Sequence, residues 1–127
     1  MSVNKPYGTA FTGILSLTNG APGPLAIVIH TVPGGAAYVL GATERMYVTG
    51  VALSSNDTAI PLVAVDIGVG TYSVVSAYVG STIPAYVDNF VSPPIIGKPG
   101  VAFRASAPSI TAAKTIEVKI VGYISIT

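Results

Sequence analysis

Apolar segments of strand length recur through this chain, each closed by Gly, Pro, Asn or Asp, and that punctuation constrains the fold more than any other feature. Fourteen glycines and ten prolines are spread along the whole sequence, so they mark turns instead of a low-complexity linker. Helical periodicity is hard to find. The pattern predicts strands at about 9–17, 25–32, 36–40, 45–54, 59–67, 71–80, 101–107 and 114–126. About eight short strands in 127 residues imply one all-β domain built as a two-sheet sandwich.

The last strand has the cleanest alternation. Ile116, Val118, Ile120, Ile124 and Ile126 alternate with Glu117, Lys119, Tyr123 and Ser125, one face to be buried and one wet. Gly122 interrupts it, which marks a bulge or a close approach of another backbone. Val101, Phe103 and Ala105 alternate with Arg104 and Ser106 in the same way. Two strands are apolar on both faces, one holding Tyr47, Val48, Val51 and Leu53, the other Tyr72, Val74, Val75 and Val79. Such strands are central in a sandwich or face a neighbouring subunit. Asn19 to Pro24 is a turn by its chemistry. Residues 89–100 hold Ser92, Pro93, Pro94 and Pro99, which interrupt ladder pairing and predict an extended loop. Residues 1–8 read as a short N-terminal arm, ordered by contact. A Greek-key jelly roll and an immunoglobulin-like sandwich both accommodate this strand count.

The surface of such a domain is short of charge. Only 9% of residues are charged and 50% are hydrophobic, against about 25% charged in an average soluble domain. A small domain leaves much of its chain exposed, so either this surface is rich in Ser, Thr, Gly and Ala, or part of it is covered by other protein subunits, or both. Six basic and five acidic residues are scattered singly, for a net charge of +1. That leaves no electrostatic footprint for nucleic acid or an anionic membrane. The apolar runs, such as 25–29 and 60–65, fall far short of the about 20 residues of a membrane helix. Met1 to Gly8 does not read as a secretory signal. There are no cysteines, which removes disulfide and thiolate-metal scaffolds.

Catalytic chemistry has little to work with. His30 is the only histidine, and it reads as a strand residue that is exposed or hydrogen-bonded, with no G-x-S-x-G elbow to serve. The acids Glu44, Asp57, Asp66, Asp88 and Glu117 show no paired-carboxylate or metal-ligand spacing. Asn56, Asp57, Asp88 and Asn89 read as turn residues bonding their own backbone. Gly68-Val69-Gly70 precedes a strand, so it is a hairpin turn and no phosphate cradle. Asn56-Asp57-Thr58 matches the glycosylation acceptor only by accident. Seven tyrosines without tryptophan suit an interface, with Tyr7, Tyr86 and Tyr123 expected to be the most exposed. No catalytic residue, cofactor, metal or small-molecule substrate is expected.

One pattern resembles a known family. Tyr38-Val39-Leu40, then Glu44 through Val51, Ser54-Ser55-Asn56, Val65-Asp66, and the ending Lys114 through Ile124 resemble small jelly-roll proteins of tailed bacteriophages. These are the capsid decoration, or cement, proteins and related head or tail appendage modules. The likeness covers roughly residues 36–126 and rests on strand and turn residues. It implies a jelly-roll-like sandwich acting as a structural virion protein on the outer capsid surface, a homotrimer seated on the major capsid protein. It offers no catalytic motif to transfer. The irregular segments supply the expected contacts: Tyr7 in the arm, Phe90, Ile95 and Ile96 in the Pro-rich loop, and Tyr123 on the last strand. The alternative on the same fold is a tail, baseplate or surface module that binds a carbohydrate or receptor.

Overall fold

A computed structural model describes residues 8–69, 72–89 and 94–126. Tyr7 and Phe90 lie outside these residues, as does most of the expected arm. The described residues form ten strands and no helix. In chain order they are β1 (Thr9–Thr18), β2 (Leu25–Ala26), β3 (Val28–His30), β4 (Glu44–Ser55), β5 (Val63–Val69), β6 (Tyr72–Val79), β7 (Ala85–Asn89), β8 (Ile95–Ile96), β9 (Phe103–Ser106) and β10 (Thr115–Ile126).

They build two antiparallel sheets. The larger runs β3-β1-β10-β4-β7, with β8 also on β4, and the smaller runs β2-β9-β5-β6. The pairs β1·β10, β2·β9, β4·β7 and β5·β6 nest inside one another along the chain. A long antiparallel ribbon folded over into two sheets has this order, which is that of a jelly roll and not of an immunoglobulin-like sandwich.

Strand β5 shows why the sandwich forms. Val63, Val65, Ile67 and Val69 are buried while Ala64, Asp66 and Gly68 between them are only half-buried, so period-two patterning turns one apolar face inward. The inner faces meet in one core, with Phe103, Leu17, Ile27, Met46 and Ile116 among its fully buried side chains.

Two bulges explain why β4 and β6 read as apolar on both faces. In β4, Val121 pairs Gly50 and Gly122 pairs Val48, leaving Thr49 as the extra residue. The extra residue reverses the alternation, so Met46 and Val48 on one side of it and Val51 and Leu53 on the other all point into the core. Gly122 sits opposite this bulge, where a β-carbon would land on the Tyr47 carbonyl. In β6 the register shifts opposite Ile67 and Gly68, leaving Val74 as the extra residue. Val74 is exposed while Val75 packs against the core. Strand β4 is central as expected, but β6 is the edge of the smaller sheet.

Other expectations need correction. Residues 36–40 form no strand; they run along the free edge of β3 with the Tyr38 N–H donating to the Ile29 carbonyl (2.8 Å). The predicted 59–67 strand starts at Val63, because Asp57 holds Ala59 and Ile60 in a turn. Strand β7 went unread, its five residues following Pro84 with no clean alternation. Within the Pro-rich stretch, β8 pairs Ile95 and Ile96 with Val48 and Tyr47. Ile126, expected in the buried face, is exposed at the end of β10.

Candidate functional site

Side chains on the outer face of the larger sheet fall into rows set by strand register. One row runs Val28, Ile14, Lys119, Ala52, Val87 across β3, β1, β10, β4 and β7. The next row on one side holds Thr12, Val121 and Gly50, and the next on the other side holds Ser16, Glu117, Ser54 and Ala85. A further row is Ala10, Tyr123, Tyr47 and Ile96. The solvent face of an antiparallel sheet is ordinarily polar. Here Val87 is 70% exposed, Ile14 54%, Ile96 52% and Val28 48%.

Concavities lined by described residues open on this face. One of about 500 Å³ has Ala10, Thr12 and Ile14 as its floor and His30, Thr31, Pro33 and Gly34 along its wall. Another of about 300 Å³ lies over Ile14, Ala52, Ser54 and Lys119. A third, about 180 Å³, lies between Ala52, Val87 and Val121. None gathers a catalytic group. His30, half-buried in β3, places Nδ1 at 3.1 Å from the Gly35 carbonyl and 3.2 Å from that of Ala36. A ring N–H donating to those carbonyls holds the 31–36 loop against β3, which is the hydrogen-bonded role expected of it.

Each carboxylate has a local partner, and no group of three or more His, Asp or Glu residues among those described is placed to hold a metal. Asp66 accepts from Ser76 (2.6 Å) and Ser73 (3.4 Å). Glu44 accepts from the Gly41 N–H and the Tyr38 hydroxyl, which hold its carboxyl below the usual range, and the Glu44 carboxylate in turn pushes the Tyr38 phenol up. Asp88 was expected in a turn, but it lies in β7 and accepts from the Tyr86 hydroxyl (2.9 Å), raising that phenol. Asn56 likewise reaches away from its own turn, its Oδ1 accepting from the Thr115 N–H (2.8 Å).

Asp57 is the one buried polar or charged side chain among the described residues. Its Oδ1 accepts from the Ala59 and Ile60 N–H groups, and its Oδ2 from the Thr111 N–H. Together with the Thr111 side chain these bonds hold the carboxyl far below its ordinary range. The backbone of the β4–β5 connection is thereby tied to that of the β9–β10 connection.

The expected contact residues divide in three. Tyr123 and Ile96 come together on the outer face, where the Tyr123 ring stacks on Tyr47 at 4.9 Å between centroids and 6° between planes. Ile95 instead packs against the core. Tyr7 and Phe90 fall outside the described residues. Tyr86 and Tyr123 are half-buried, the first packed on the core and the second on Tyr47. Among the tyrosines whose side chains are described, Tyr78, on the edge strand β6, is the exposed one. Ile14, Val28 and Val87 were not singled out. Their outward position depends on strand pairing, although the polar neighbours Thr12, Ser16 and Lys119 hinted at the face.

The chain is similar to a cyanophage capsid structure. That structure is described as the cyanophage Pam1 capsid asymmetric unit. The match has 17% identity and a TM-score of 0.48 over 97% of this chain and 90% of that one. No family model and no curated protein matches.

Proposed function

We propose that this chain is a non-catalytic structural protein of a phage virion, a decoration or cement subunit that binds the head and stabilises it. The observation that supports the reading is the outer face of the larger sheet. It carries exposed valines and isoleucines across five strands, in a chain with only 9% charged residues. A sheet face this rich in exposed valine and isoleucine, interrupted by Lys119 and Glu117, suits an interaction surface on a small domain. In this reading the chain lies on the outside of the capsid as an oligomer against the major capsid protein, and the family resemblance implies three copies.

The test is addition of the purified chain to heads of the encoding phage that lack it, followed by sedimentation and a thermal challenge. Co-sedimentation with a raised disruption temperature, lost in the Ile14→Asp/Val87→Asp double variant, is the expected result. A folded chain that stays in the supernatant overturns the proposal.

A further inference from the structure

Two charges at the centre of the larger sheet's outer face form a self-complementary pair, apart from Arg45 near one end of β4. Glu117 and Lys119 are both exposed on β10, two residues apart on the same side of the central part of the sheet. Ile14 and Ala52 flank Lys119, while Ser16 and Ser54 flank Glu117. The Ser16 hydroxyl donates to Glu117 Oε2 (3.2 Å), which steadies the carboxylate in that row.

Two copies stacked face to face about a two-fold axis must keep that axis in the interface plane. If the axis runs across the strands between the Lys119 and Glu117 rows, β10 lies over its copy in the opposite direction. Each Lys119 then sits over Glu117 of the second copy, so both charges are matched twice. The same operation lays Ile14 over Ser16 and Val87 over Ala85 of the second copy, large side chains against small ones, and sets the small Ala52 and Ser54 against each other. Such size alternation lets facing sheets interdigitate. An axis running along β10 would instead put Lys119 on Lys119, so the charge pattern selects between the two arrangements.

With the axis beside Val118, the overlap is confined to about residues 115–121 of β10 and the residues paired with them. Four strands about 4.8 Å apart over about 23 Å give roughly 450 Å² per copy, the scale of a weak, reversible interface.

We infer that the outer face of the larger sheet is a self-association surface that pairs two copies of this chain, with Lys119 of each facing Glu117 of the other. The inference rests on the proposed function for the premise that protein covers this face; the covering protein is a second copy, so that Ile14→Asp/Val87→Asp removes head binding by undoing the pair. It differs from the family resemblance in the count, because an isologous contact closes at two copies.

Light scattering of the full chain across a dilution series reads the outcome. The wild type is expected at twice the chain mass. Lys119→Glu, which sets carboxylates against carboxylates at both symmetric positions, weakens the dimer about tenfold or more. The double exchange Glu117→Lys/Lys119→Glu recreates the complementary pair with reversed sign and restores the dimer, which no contact with an unrelated partner surface would do. Circular dichroism melts verify that all variants are folded. A monomer or trimer at every concentration overturns the inference, as does a charge exchange that fails to restore association. Head binding by a monomeric or trimeric wild type would overturn the pairing while leaving the proposed function standing.

Discussion

The two sheets share one core and differ on the sides they turn away from it. The larger sheet exposes Val28, Ile14, Val121, Val87 and Ile96. Across the smaller sheet, small residues such as Ala64, Gly68, Ser76 and Ser106 surround an Asp66 carboxylate bonded to Ser76 and Ser73, with Arg104 nearby. Among its described side chains, only Val74 and Tyr78 on its edge strand are large exposed apolar groups. A sandwich needs just its inner faces apolar to fold. The outer face of the smaller sheet follows that economy and that of the larger one does not, so its apolar side chains answer to something beyond folding.

The strongest break in that comparison is Gly122, because it holds the register on which the rows of the larger face depend. Gly122→Val drives side-chain carbons into the Tyr47 backbone beside the β4 bulge. It is expected to cost about 3 kcal/mol or more, the upper end for overpacking, since backbone yields less readily than a side chain. A denaturant melt measures it, and a loss below about 1 kcal/mol would mean the strands shift without harm.

Next in size is the effect on association. Ile14→Asp/Val87→Asp should remove head binding while changing stability by no more than about 0.5 kcal/mol per site, as exposed substitutions do. The matched control is Val74→Asp/Tyr78→Asp on the smaller sheet, which should leave binding intact. Equal loss from both pairs would erase the distinction between the faces.

Asp57 supports both sheets through the loops that join them, and its effect is smaller. Asp57→Asn removes a charged acceptor of three backbone N–H groups and is expected to lower the melting temperature on the order of 5 °C at neutral pH. Its folded-state carboxyl is depressed, so its contribution is fully present above the unfolded carboxylate value of about 3.9 and fades as pH falls below it. Thermal melts from pH 6 to pH 2.5 should therefore slope less in Asp57→Asn than in the wild type. Parallel slopes would show that other carboxylates carry the acid sensitivity.

Much of this fold was legible because period-two patterning and turn chemistry are local. Phe103 to Ser106 and Ile116 to Ile120 could be assigned to faces from sequence alone, and Gly122 marked the close approach of the Tyr47 backbone opposite the β4 bulge. The failures came where a non-local effect intervened. Val48 and Val51 both face inward because an extra residue opposite β10 reverses the alternation, which no reading of β4 by itself reveals. Residues 36–40 have strand-like composition but meet the edge of β3 through the Tyr38 N–H to Ile29 carbonyl bond and the His30 ring, with no ladder. The candidate site was less legible than the fold. Tyr123 and Ile96 were picked for their chemistry, yet the row of Val28, Ile14 and Val87 comes from strands distant in the chain and appears only once register is set.

The most direct test of the central claim is a cryo-electron microscopy map of heads carrying the bound chain. The account predicts that protein density covers the Val28, Ile14, Val87 row of the larger sheet while the Asp66 face of the smaller sheet meets solvent. A map in which the larger sheet's outer face stands open to solvent would contradict it.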